Sequence, residues 1–206
     1  MKNYLVKLFF LLFGISTYSQ MKEKGNLEIS PTIGVLSANY YGKDVGIFNQ
    51  PIVNATYGLN VDYFFNDRWS LRSGLEFQSM GSKIKEDIFR GREFEEKLNY
   101  INIPIHANWH FGSTRKWYLN FGPSISFLTY AESNGIEITE ALNKAQLGLG
   151  FGIGYKFFIN EKISIGIDHQ EYLGFSKLIS SEYSNNSASS IYNYFGSYTL
   201  KAIISL

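Results

Sequence analysis

His169 and Glu171, one residue apart, are the pair in this chain with the most chemical promise. An imidazole beside a carboxylate can serve as a general base, and acyl chemistry would complete it with a serine nucleophile. No serine is visibly placed to do so, and catalysis is the weaker reading. His106 and His110 are spaced by four residues. In a strand that spacing is about 13 Å, too far to hold one metal ion, so hydrogen bonding is the expected role of both. The chain has no cysteine, which removes disulfides, thiolate metal sites, cysteine nucleophiles and an acylated cysteine anchor. Lysine and arginine total 19 against 18 acidic residues, leaving no basic field for nucleic acid. Neither a cofactor nor a metal is expected.

The elements that must position these residues follow from a period of two. Of 206 residues 17% are aromatic, and apolar residues alternate with polar ones in eight stretches. Val53, Ala55, Tyr57, Leu59, Val61, Tyr63 and Phe65 share one face, with Asn54, Thr56, Gly58, Asn60 and Asp62 on the other. Ile101 to Phe111 and Leu147 to Phe157 repeat the pattern, the latter opposite Gly148, Gly150, Gly152 and Gly154. Long polar connections at about 38–50, 82–97, 131–143 and 174–190 alternate with turns of three to five residues. Short turns at one end and long loops at the other are the plan of an eight-stranded antiparallel outer-membrane β-barrel.

The first 19 residues fit a cleaved secretory signal. Lys2 and Lys7 form a basic region, residues 8–15 are apolar, and Thr17 and Ser19 occupy the small-residue positions of a cleavage site. Eight apolar residues are too few to cross about 30 Å of hydrocarbon as a helix. The barrel domain is therefore expected over residues 20–206, beginning at Gln20.

A soluble barrel would alternate in the same way with its apolar face inward. Three features favour lipid. Trp69, Trp109 and Trp117, with Phe65, Phe111 and Phe157, lie on the apolar face beside the short turns, as an aromatic girdle would. The opposite faces are rich in Gly, Ser, Asn and Gln, suited to a narrow lumen. The last stretch ends at Leu206 with Leu200, Ala202 and Ile204 on its face, although Lys201 stands where a barrel-terminal signal usually has glycine. On this reading Asp62, Arg72, Glu76, His106, Lys156 and Asp168 form an inward network that closes the lumen. Arg72 is expected to pair with Asp62 and with Glu76. His169 and Glu171 fall on the lipid face. Pro104 and Pro123 each lose a ladder donor, and pairing across the intervening turn brings the two gaps together, which predicts one shared bulge.

Leu98-Asn-Tyr-Ile-Asn-Ile-Pro-Ile105, Tyr118-Leu-Asn-Phe-Gly-Pro123, Gly148-Leu-Gly-Phe-Gly-Ile-Gly-Tyr155 and Glu171-Tyr-Leu-Gly-Phe175 together resemble the PorT-like outer-membrane β-barrel family. The resemblance runs over nearly all of the mature chain. It departs from the family at Gln146, where an acidic residue is common, and at Glu171, where arginine is. It implies an outer-membrane barrel with no shared catalytic set, and for some members a link to protein secretion. The expected partners are outer-membrane lipid, the barrel-insertion machinery during assembly, and a protein of the envelope or of secretion. Both termini are expected in the periplasm. A structural, scaffold or partner-binding role is the first reading, a small transport protein the second, and a lipid hydrolase built on His169 the third.

Overall fold

The computed structural model describes residues 22–46, 49–85, 93–183 and 190–206. The expected signal at 1–19 and the start at Gln20 lie outside the described residues, as do 86–92 and 184–189 of two loops. The strands are β1 (Leu27–Tyr41), β2 (Asn49–Phe64), β3 (Trp69–Lys85), β4 (Glu93–Phe111), β5 (Trp117–Ser133), the two-residue β6 (Ile136–Glu137), β7 (Ala145–Phe158), β8 (Ile163–Gly174) and β9 (Tyr192–Ser205). Hydrogen bonding runs β4-β3-β2-β1-β9-β8-β7-β5, and β4 pairs with β5 to close the ring. The result is a closed antiparallel barrel of eight long strands, with no free edge in the wall.

The pleat sends successive side chains to opposite faces, and here the apolar set faces out. Ile33, Tyr57, Leu75, Phe121, Phe151 and Leu200 are exposed, while Glu28, Asn60, Asp62, Arg72, Asn108, Gln146, Lys156 and Asp168 are buried. A soluble barrel would do the reverse. A wall of this composition is stable only in hydrocarbon, because only there does exposing it cost nothing.

At the short-turn end an aromatic belt runs around part of the wall. Trp69 stacks on Trp109 at 6.2 Å, Trp109 on Phe111 at 5.1 Å and Phe111 on Trp117 at 6.4 Å, and Trp117 meets Tyr155 edge-on at 4.8 Å.

At the other end the strands outrun the sequence pattern. Residues 82–97 read as a loop, yet β3 continues to Lys85 and β4 begins at Glu93. Beyond the apolar band nothing requires alternation, and cross-strand ion pairs such as Lys83 with Glu93 at 3.3 Å take over. The inward face also turns apolar there. Leu36, Tyr40, Met80, Leu98 and Leu128 form a buried cluster with Leu142 and Leu178 from the loops. These two loops are tied together by a Leu142–Ile179 bridge and by the Asn143 amide, which donates to the carbonyls of Lys177 at 2.8 Å and Ile179 at 3.2 Å. They form an apolar cap inside the mouth.

The expected shared bulge at the prolines is not there. Pro104 faces Ser124 and Ala107 faces Phe121 in one unbroken register, and the β4–β5 shift falls instead at Asn99/Tyr100. A missing N–H removes a bond without adding a residue, so the ladder skips a rung and keeps its register.

Candidate functional site in the barrel lumen

The inward residues form layers stacked along the barrel axis. Nearest the short turns, Lys156 on β7 reaches the Glu28 carboxylate on β1, and Lys22, from the segment before β1, lies 3.3 Å from the same carboxylate and donates to Ser205 Oγ at 2.6 Å. The Lys156 ammonium also sits over the rings of Phe64 at 5.3 Å and Tyr118 at 5.6 Å. Phenyl and phenol faces here replace part of the hydration that the ammonium loses on burial.

The next layer is centred on Arg72 of β3. Its Nε donates to both oxygens of Asp62 at 3.2 Å, and its Nη1 donates to Asp168 Oδ2 at 3.3 Å. Asp62 accepts further bonds from Ser70 Oγ at 3.2 Å and Asn108 Nδ2 at 2.9 Å. Asp168 also accepts from the Tyr118 hydroxyl and is paired with Lys201. Each buried charge thus meets an opposite charge and further hydrogen-bonding groups, the condition under which charges persist away from water.

Glu76 belongs to a third layer and does not touch Arg72 by a hydrogen bond. Its carboxylate accepts from Asn60 Nδ2 at 3.2 Å, Gln78 Nε2 at 3.1 Å and Asn102 Nδ2 at 2.9 Å. Three amides solvate it in place of a cation. His106 bonds Ser124 Oγ at 3.0 Å, whereas His110 bonds Ser70 Oγ at 3.1 Å two layers away. Among the described residues no group of three or more His, Cys, Asp or Glu side chains is placed to hold a metal ion. Above this layer Tyr100, Gln146 and Asn193 are joined across the lumen: Gln146 Nε2 donates to the Tyr100 hydroxyl at 2.9 Å and Asn193 Nδ2 to Gln146 Oε1 at 2.7 Å.

The glycines of β7 make room for all this. A Cβ on Gly154 would lie 2.3 Å from the Tyr118 ring, one on Gly150 2.6 Å from His106, and one on Gly148 2.4 Å from Tyr172. The glycine face of the strand is the floor on which the large inward side chains lie.

Between the charged layers and the apolar cap, the cavity lined by Thr56, Glu76, His106, Gln170 and Tyr172 leaves about 30 Å³ for the centres of water molecules. That suits a few waters, each of which needs ~10–15 Å³ by this measure. Asn60 Oδ1, Gln78 Oε1 and Tyr172 Oη, which find no protein partner, are the groups such waters would satisfy.

Of the residues singled out from sequence, Asp62, Arg72 and Asp168 meet in one layer, Lys156 lies below them, and Glu76 and His106 lie above. Glu28, Lys201, Tyr118 and Lys22 were not anticipated as members. Alternation alone puts Lys201 and Tyr118 inward, but Tyr118 on β5 reaches past β7 to Asp168 on β8, and Lys201 meets the same carboxylate diagonally across the β8–β9 pair. His169 and Glu171 are outside the lumen, on the outer wall.

The model of a family described as outer membrane protein beta-barrel domain matches residues 18–180. No curated protein matches the sequence. Among solved structures, the outer membrane protein OprG from Pseudomonas aeruginosa is 10% identical with a TM-score of 0.55, covering 89% of this chain and 97% of that one. Ail of Yersinia pestis, the attachment invasion locus protein, is 13% identical with a TM-score of 0.47, covering 89% and 99%. Neisserial surface protein A is 14% identical with a TM-score of 0.49, covering 84% and 95%. The likeness to OprG is one of fold. With the family match spanning most of the chain and an apolar wall that demands a bilayer, the protein belongs to the outer membrane protein beta-barrel domain family and resides in the outer membrane.

Proposed function

We propose that this barrel is a closed, non-enzymatic membrane protein that works through its outer wall and loops, as a structural or partner-binding component of the outer membrane. The observation that carries this reading is the obstruction of the lumen. Four anions, Glu28, Asp62, Asp168 and Glu76, and the cations Lys22, Lys156, Arg72 and Lys201 fill one half, an apolar cap fills the other, and the space between holds only a few waters. A solute would have to break buried ion pairs to pass.

Within the family, we assign the chain to the PorT-like branch, with a link to protein secretion. Supporting this, the residues that carry that resemblance supply much of the lumen network: Tyr100 and Asn102 from one motif, Tyr118 and Asn120 from the second, and the β7 glycines from the third. Both termini lie in the periplasm on this reading, since short turns face that side in outer-membrane barrels. As for catalysis, His169 and Glu171 contact each other, the Ser197 carbonyl and two tyrosines, and none of these supplies a nucleophile.

Purified protein in planar bilayers tests the reading. No steady conductance is expected, and large, stable channels would overturn it in favour of transport. Crosslinking in intact outer membranes, followed by identification of the adducts, tests the secretion link.

A further inference from the structure

From the aromatic belt up to Val53, Phe77, Ile101, Phe127 and Leu147, the outward rows of β2–β5 and β7 carry apolar side chains apart from Ser73. The wall changes at β8, β9 and β1. His169 and Glu171 of β8 are paired at 2.9 Å, and the Tyr194 hydroxyl donates to the other carboxylate oxygen at 2.6 Å. His169 Nδ1 donates to the Ser197 carbonyl at 3.1 Å, and the Tyr198 ring lies tilted against the imidazole at 4.5 Å. In register, His169 faces Ile153 and Glu171 faces Phe151, four and six residues above Phe157 on β7. At about 3.3 Å per residue and a tilt of about 40°, the pair lies roughly 10 and 15 Å into an apolar band about 25 Å tall. Ionisable groups are thus held in the middle of the membrane, facing outward.

Acyl chains offer such groups neither donors nor acceptors, and a polar or charged group on the lipid face is costly at mid-depth where leucine would cost nothing. We propose that this face docks a second copy of the same chain within the membrane. Three features favour that occupant. The histidine and carboxylate already hold each other, so the partner needs hydroxyl groups rather than an opposite net charge. Ser37, Gly196 and Glu171 stand side by side across β1, β9 and β8, and they form a low strip between Tyr194 and Tyr198. A Cβ on Gly196 would lie 3.0 Å from Glu171 Oε1, so the glycine leaves room for the carboxylate to lie over the strip. Finally, Tyr198 is 63% exposed, and its hydroxyl has no hydrogen bond among the described residues. One strip therefore carries both the notch and the knob. A two-fold axis through it seats each copy's Tyr198 on the other's Ser37–Gly196 strip, where the hydroxyl donates to the Glu171 carboxylate. Such self-complementarity is what an isologous interface needs, and small residues let two walls approach closely.

This inference rests on the surface-acting reading above, and its test leaves the lumen untouched, so the two can fail separately. Because the chain has no cysteine, Ser37→Cys, Val35→Cys and, on the far wall, Phe121→Cys can be treated with a short thiol-specific crosslinker in isolated outer membranes. Heat-modifiable gel migration confirms that each variant is folded. Homodimer yields at positions 35 and 37 at least tenfold above that at 121 are expected, falling several-fold when Tyr198→Leu is added to Ser37→Cys. Equal yields at all three positions, no dimer, adducts to another protein instead, or a yield indifferent to Tyr198→Leu would each overturn the proposal.

Discussion

Arg72 on β3 donates to Asp168 on β8, the strand diametrically opposite, at 3.3 Å and across 96 residues of sequence. One guanidinium thus spans the full width of the lumen, with its Nε on the neighbouring strand's Asp62. A wall made only of nearest-neighbour ladders has no such brace. Closure of the lumen and stiffness of the wall come from the same side chain, so removing it would affect both.

Arg72→Ala strips two buried carboxylates of their shared partner. Breaking a buried pair from one side costs about 3–5 kcal/mol, and that loss is expected in urea unfolding from lipid vesicles. Arg72→Lys should recover only part of it, because a compact ammonium cannot match a fork that bonds Asp62 and Asp168 at once. A lysine variant as stable as wild type would contradict the bracing role.

Gly154→Ala places a methyl group against the Tyr118 ring and the Asp168 carboxylate, each 2.3 Å from the new atom. Overpacking of this kind costs about 1–3 kcal/mol. Gly46→Ala, where nothing lies within 4 Å, should be neutral. Equal unfolding midpoints for the two variants would show that the β7 glycines are not there to make room.

Sequence periodicity carried the strands, the inside-out polarity and the inward placement of Asp62, Arg72 and Asp168, because a period of two assigns a face to every residue. It also aligned Asp62 with Arg72 across one short turn, and these two face each other in the register. Contacts across the lumen were a different matter. Lys156 and Glu28 are 128 residues apart, and Asn193 lies 93 from Tyr100. Such pairs depend on the strand order around the closed ring and on the stagger between strands, and no local pattern encodes either. The same limit explains Glu76, assigned to Arg72 by proximity along one strand but held by amides from β2, β3 and β4. Nor did the pattern reveal the apolar cap, since Leu142 and Leu178 sit in polar loops and find each other only once the barrel has closed.

Orientation can be read with an impermeant thiol reagent on intact cells. Lys43→Cys lies between β1 and β2 at the loop end, and Lys116→Cys lies in the short turn before β5. With both termini in the periplasm, position 43 is labelled from outside and position 116 only after the outer membrane is breached. The opposite order would invert the barrel.

The three tryptophans, Trp69, Trp109 and Trp117, are all the tryptophan the chain contains. All three point outward beside short turns and stack within one belt, so intrinsic fluorescence reports on a single depth. If the belt sits at the edge of an apolar band about 25 Å tall, the indoles lie roughly 12 Å from the bilayer centre. Indole prefers that position because its ring is apolar and its N–H still reaches headgroup water. Lipids brominated near the headgroup should therefore quench the emission more strongly than lipids brominated near the chain ends. Replacing Trp109, the central member, with Phe should lower the intensity without changing the depth profile. Stronger quenching by the deep label would place the belt at mid-bilayer and contradict its role as an interfacial girdle.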